Sequence, residues 1–187
     1  MNPRPTQAIP QLQPSTGWTR DLATLHPDAD AAIWLTEEGL LTERVRRRCS
    51  GEFGLRVVDE RRGVLAPGDA AALGVSDLSG FFREIELTCD EVAWIFAQTL
   101  VPAATLAAEP WLALLGNDAL GPRLASLAGA ARQPFEFARL TPSEPLFARA
   151  SRDPRTAPPA LWARRARYRL ATHGLIVQEV FLPGALQ

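Results

Sequence analysis

Residues 80–102, "GFFREIELTCDEVAWIFAQTLVP", decide the fold. Two runs rich in β-branched and aromatic residues flank Asp90 and Glu91, the signature of two strands joined by a tight turn. Successive strand side chains point to opposite sides. In the first run Phe81, Arg83, Ile85, Leu87 and Cys89 therefore share one face, and Phe82, Glu84, Glu86 and Thr88 share the other. The glutamate-bearing face is expected to be wet, which leaves Arg83, a permanent cation, among core positions. A turn centred on Asp90 and Glu91 sets Cys89 opposite Val92, Leu87 opposite Trp94, Ile85 opposite Phe96 and Arg83 opposite Gln98.

A second anomaly lies near the C-terminus. In "LIVQEVFLP", residues 175–183, both faces are apolar, so the strand is expected to be central and covered on both sides. Glu179 is then a largely buried carboxylate, costly unless paired or hydrogen-bonded. It follows "LWARRARYRL" in a hairpin whose expected turn, at His173 and Gly174, sets Tyr168 opposite Glu179. Arg83 and Glu179 in one sheet allow two readings. They form a structural ion pair, or both line a cavity with apolar walls and a few convergent polar groups, as small-molecule sites have.

Around these hairpins the order is helices first, then mostly strands. "HPDADAAIWLT" and "EEGLLTERVRRRC" are expected as short helices, with Asp28 or Asp30 and Thr36 as caps. A strand near "EFGLRVVDE" follows, then a Pro/Gly-bearing connection. "PAATLAAEPWLALLGNDALGPRLASLAG" has helical spacing broken near Gly116 and Gly121, and "PFEFARL" is a short strand. Residues 141–160 form a Pro-rich stretch, a lid or a disordered insertion. Residues 1–20 read as a poorly ordered Pro-rich leader and 21–187 as one domain. Strands joined by short turns imply an α+β fold, a single antiparallel sheet of about six strands with helices covering one face.

Composition removes several chemistries. All 20 basic residues are arginine, so a lysine Schiff base and a Walker-type phosphate loop are excluded. His26 and His173 stand far apart, and no Gly-rich nucleotide fingerprint follows a strand, so neither metal nor cofactor is expected. Cys49 and Cys89 fit no metal spacing and are expected as reduced thiols of a cytoplasmic protein. No apolar run is long enough to span a bilayer. A net charge of -1 gives no general attraction for nucleic acid, so "ERVRRRC" and "WARRARYR" are expected as solvated surface; Arg165, Arg167 and Arg169 line one face of the latter.

The segments "FFREIELTCDEVAWIFAQTLVP", "LLGNDALGPRLA", "LWARRARYRL" and "LIVQEVFLP" resemble, in order and approximate spacing, those of chorismate–pyruvate lyases. The resemblance spans roughly residues 30–183. It implies a cavity beneath helical flaps and conversion of chorismate to 4-hydroxybenzoate and pyruvate, the entry step to ubiquinone. Carried over by position, the implied ligand contacts are Leu41, Arg83, Leu120 and Glu179. Arginine's planar fork suits a carboxylate, and Glu179 suits the ring hydroxyl and its proton. Leu41 and Leu120 would seal the pocket; without the resemblance both read as core. Gln98 is a departure, since the family often has arginine there. An amide binds an anion without charge, and Arg164 could compensate. The expected state is a monomer. The rival class is a non-catalytic or degenerate module of the same fold that binds aromatic acids; effector domains of some transcription regulators resemble the fold and sense small molecules without turning them over.

Overall fold

The computed structural model describes residues 17–151 and 157–186. Its centre is one antiparallel sheet whose main path runs β1 (Phe53–Val64), β2 (Ser79–Cys89), β3 (Val92–Pro102), β7 (His173–Phe181), β6 (Leu161–Leu170) and β4 (Ala130–Arg132). A seventh strand, β5 (Glu136–Leu140), also pairs with β6. The class is α+β, as expected, with β7 central between β3 and β6.

On the Arg83 face lie α1 (Ala29–Leu35), α2 (Leu41–Arg48), α4 (Ala103–Ala108) and α5 (Leu120–Ser126). On the opposite face lie α3 (Pro67–Leu73) and α6 (Pro145–Ala150). Helices therefore cover the second face too, and its expected wetness is corrected: Phe82, Glu84, Glu86 and Thr88 are all buried. Leu146, Phe147 and Ala150 of α6 pack on Phe96 and Val180, and Ala70 of α3 packs near Phe82 and Ile176. The Pro-rich stretch 141–160 thus supplies a packed helix, while residues 152–156 and the leader up to residue 16 lie outside the described residues. Chain pairing begins earlier than the expected boundary, at Thr19, which exchanges two backbone hydrogen bonds with Phe137.

Local chemistry explains the helix ends. Asp28 caps α1, its Oδ1 accepting from Ala31 N at 2.7 Å. Thr36, the other expected cap, closes α1, donating its hydroxyl to the Ala32 carbonyl. α2 opens at Leu41 without a side-chain cap and ends in Arg46, Arg47 and Arg48, which oppose the negative end of its dipole.

The β2–β3 turn falls at Asp90 and Glu91 as expected, both with left-handed φ. Cys89 faces Val92 and Thr88 faces Ala93. The register then shifts, and Leu87 faces Ile95. Trp94 is the extra residue of a β-bulge. Its indole packs edge-on against Trp34, ring centroids 6.4 Å apart, in the cluster that also holds Ile95. Beyond the bulge Arg83 faces Thr99 and Glu84 faces Gln98, which corrects the expected Arg83–Gln98 pairing. The second hairpin also turns elsewhere, at Ala171 and Thr172, with Ala171 in the left-handed region. Gly174 sits inside the strand, where an added Cβ would lie 3.1 Å from the Tyr168 carbonyl. Tyr168 consequently faces Leu175, and Arg164 faces Glu179.

Two further expectations are corrected. Cys49 and Cys89 form a disulfide with their Cα atoms 5.5 Å apart. β1 runs out and β2 returns beside it, placing Phe53 opposite Cys89 and so delivering the end of α2 to the end of β2. The expected cytoplasmic setting loses the support it drew from reduced thiols. Nor are the β6 arginines all solvated: Arg165 pairs with Asp69 of α3 and with Glu136, and Arg167 donates to the Ala72 carbonyl. Arg169 alone of the three is exposed.

Candidate active site

Arg83 and Glu179 reach one cavity from β2 and β7, with β3 between them. Thr99 separates Arg83 from Val177, and Ala97 separates Ile85 from Glu179, so the small and β-branched side chains of β3 form the floor. The roof comes from the first turns of α2 and α5, through Leu41, Thr42, Leu120 and Leu124. The two helix tips touch: a Cβ on Gly121 would lie 3.0 Å from Leu40 Cδ2, so glycine permits that approach. The cavity volume is about 70 Å³. That admits roughly five to seven waters, the scale of one substituted ring.

Arg83 is 2% exposed, yet Glu179 is not its partner. Its Nε donates to Glu60 Oε1 at 3.0 Å, and its Nη2 donates to the carbonyls of Gly116 and Asp118 at 2.7 and 3.0 Å. Three of its donors thus fix the guanidinium and the loop leading into α5. Nη1 is the end with no protein acceptor among the described residues. Burial draws the Arg83 pKa below its ordinary value and Glu60 opposes that shift; guanidinium remains cationic throughout.

Glu179 accepts from Arg164 Nε at 2.6 Å through Oε2. Arg164 also donates through Nη1 to the carbonyls of Leu35 and Glu37 at 3.2 and 2.5 Å, satisfying the end of α1. The carboxylate is paired on one oxygen, while the side chain keeps 19% of its surface open on the cavity side. A buried cation and a half-buried acid thus share a mostly apolar pocket, each charge balanced by a different partner.

Leu41, Arg83, Leu120 and Glu179 all line this cavity. Gln98 does not. The bulge sends its side chain to the opposite face, where its Nε2 donates to Glu84 Oε1 at 2.7 Å. There Glu84, fully buried, also accepts from Arg61 and from Arg149 of α6, with Asp59 bridging the two arginines. Sequence reasoning missed Glu60 because a second bulge, at Val58, rephases "VVDERRG" and brings Glu60 rather than Asp59 opposite Arg83. It set Tyr168 beside Glu179 without assigning it to the site, and it missed Thr42; both line the pocket.

An antiparallel sheet roofed by short helices over a ring-sized pocket defines a small-molecule-binding α+β domain. The same fold is found in PhnF from Mycobacterium smegmatis, at TM-score 0.57 and 16% identity over 81% of this chain and 67% of that one. The effector domain of PhnF gives TM-score 0.52 at 18% identity, covering 78% and 90%. At such identities the likeness is one of fold. Sequence goes further. Residues 13–186 match the family described as chorismate lyase. A "Probable chorismate pyruvate-lyase" of Nitrosospira multiformis is 36% identical over 157 residues, 82% of this chain and 87% of that protein. One of the same description from an Azoarcus species is 38% identical over 160 residues, 82% and 84% of the two chains. This chain belongs to the chorismate lyase family and is a lyase.

Proposed function

We propose that the protein eliminates enolpyruvate from chorismate, giving 4-hydroxybenzoate and pyruvate. The observation that carries this reading is Arg83 and Glu179 converging on one mostly apolar pocket from strands separated by β3. The ring carboxylate meets the free Nη1 end of Arg83, whose fixed position presents a preorganised cation. The ring hydroxyl, on the far side of the ring, donates to Glu179. The carbon bearing that hydroxyl loses its proton toward Glu179, and the C–H electron pair enters the ring. The C–O bond to the enolpyruvyl group breaks with its pair on oxygen, and the enolate takes a proton at carbon to become pyruvate. Aromatisation makes the step strongly downhill, so orientation and a water-free pocket supply most of what the ring requires. Leu41 and Leu120 close over it from the two helix tips.

The product would feed ubiquinone synthesis, with no cofactor and no second subunit needed by this chemistry. Mixing the purified protein with chorismate and following pyruvate and 4-hydroxybenzoate tests the reading. Stoichiometric release of both supports it. Binding of 4-hydroxybenzoate without turnover would instead favour a non-catalytic binding module; the PhnF effector domain shares the fold.

A further inference from the structure

The cavity holds more hydrogen-bonding capacity than Arg83 and Glu179 use. Three hydroxyls line it: Thr99 on the floor, Thr42 on the roof and Tyr168 from β6. Thr42 Oγ1 is buried and has no hydrogen-bond partner. Tyr168 is half-buried, lines the same cavity and makes no side-chain hydrogen bond among the described residues, with the small Ala166 two residues earlier on its face. Burial, reinforced by the Glu179 charge, pushes the Tyr168 pKa up to about 12, so near neutrality this group is a hydrogen-bond donor. Native structures rarely leave a buried hydroxyl unsatisfied, and Thr42 Oγ1, with the Tyr168 donor beside it in the same lining, calls for an acceptor-bearing occupant.

The oxygens of chorismate can be matched against these donors, an assignment that rests on the function proposed above. The ring hydroxyl is itself a donor and suits the Glu179 carboxylate. The ring carboxylate takes the free end of Arg83, with Thr99 directly opposite that arginine in the strand register. What remains is acceptor-only: the ether oxygen and the carboxylate of the enolpyruvyl arm. What remains in the wall is the Tyr168 phenol and the Thr42 hydroxyl. We infer that Tyr168 and Thr42 are specificity-determining residues that read the enolpyruvyl arm, Tyr168 donating to its ether oxygen and Thr42 to its carboxylate. Tyr168 then gains strength as the C–O bond breaks and charge gathers on that oxygen, whereas the product, lacking the arm, leaves both hydroxyls idle. A pocket built to hydrogen-bond an oxygen rejects ligands without it far more sharply than an apolar wall does.

The test compares substrate and product on two near-isosteric variants, Tyr168→Phe and Thr42→Val. Steady-state kinetics with chorismate and calorimetric titration with 4-hydroxybenzoate are run beside a thermal melt. The expected result is a fall of about 10-fold or more in kcat/KM for chorismate in each variant. The 4-hydroxybenzoate Kd stays within about twofold of wild type, and Thr42→Val without ligand melts no lower than wild type. Equal losses for substrate and product, or no loss for either, overturn the inference while leaving the activity intact. Wild-type protein that neither turns over chorismate nor binds 4-hydroxybenzoate overturns the functional reading and this inference together.

Discussion

Arg164 and Glu179 stand directly opposite each other on β6 and β7, joined by an Nε–Oε2 contact of 2.6 Å. The arginine also holds carbonyls at the end of α1, so one guanidinium secures both the acid of the site and the helix above it. Arg164→Met should destabilise the fold by about 3–5 kcal/mol, because the half-buried Glu179 carboxylate and helix-end carbonyls lose their donor together. Urea denaturation measures this. Glu179→Gln keeps the shape and should fold normally, while turnover of chorismate drops by roughly 100-fold or more.

Arg83 acts through geometry as much as charge. Its Nε and Nη2 are committed to Glu60, Gly116 and Asp118, which aims Nη1 at the cavity. Lysine preserves the charge but not the fork. Arg83→Lys should therefore weaken 4-hydroxybenzoate by about 10–100-fold, read by calorimetry, with little change in far-ultraviolet dichroism. Affinity equal to wild type would sink the assigned role.

The Glu84 cluster lies on the other side of the sheet, and its disruption should separate stability from binding. Gln98→Leu removes one donor from a fully buried carboxylate that keeps Arg61 and Arg149. A loss of about 1–3 kcal/mol in unfolding free energy is expected. The Kd for 4-hydroxybenzoate should be unchanged below the melting transition, since Gln98 does not reach the pocket.

The Cys49–Cys89 disulfide closes a loop across a separation of 40 residues. Reduction, or the pair Cys49→Ser and Cys89→Ser, should lower stability by about 2–4 kcal/mol. A free-thiol assay on unfolded, unreduced protein should detect no titratable thiol, and the denaturation midpoint should fall when dithiothreitol is added.

Tyr168 gives the fold a weakness in strong base. Its folded pKa, about 12, lies above the phenol's ordinary 10.0 because burial disfavours phenolate, and the Glu179 charge adds to this. A raised pKa means its contribution is complete below the unfolded value and is lost as pH climbs toward the folded one. Between about pH 10 and 12 wild type should therefore lose stability faster than Tyr168→Phe, with the two curves parallel near neutrality. Denaturant titrations at a series of alkaline pH values would reveal the divergence.

Strand alternation was enough to read the sheet, its central strand and the two anomalous charges, because a misplaced Arg83 or Glu179 breaks an otherwise regular pattern. Leu41 and Leu120 carried no such signal, since a leucine at the tip of a helix looks the same over a cavity as over a core. The resemblance alone marked them. Glu60, the partner of Arg83, and the true side of Gln98 stayed hidden for another reason. Glu60 and Gln98 are placed by bulges, and a bulge leaves no mark in the alternation of a single strand; it arises from contacts such as Trp94 on Trp34, 60 positions apart in the chain. The disulfide was equally unreadable, because nothing in the spacing of two cysteines says that the intervening strands fold back on each other.

The extra residue at Trp94 works as a parity bit for the outer half of β3. Excising it would exchange odd for even from Ile95 onward, carrying Gln98 toward the pocket and Ala97 and Thr99 away. Comparisons with relatives that count outward from the Asp90–Glu91 corner without that offset will therefore assign every later position to the opposite side of the sheet.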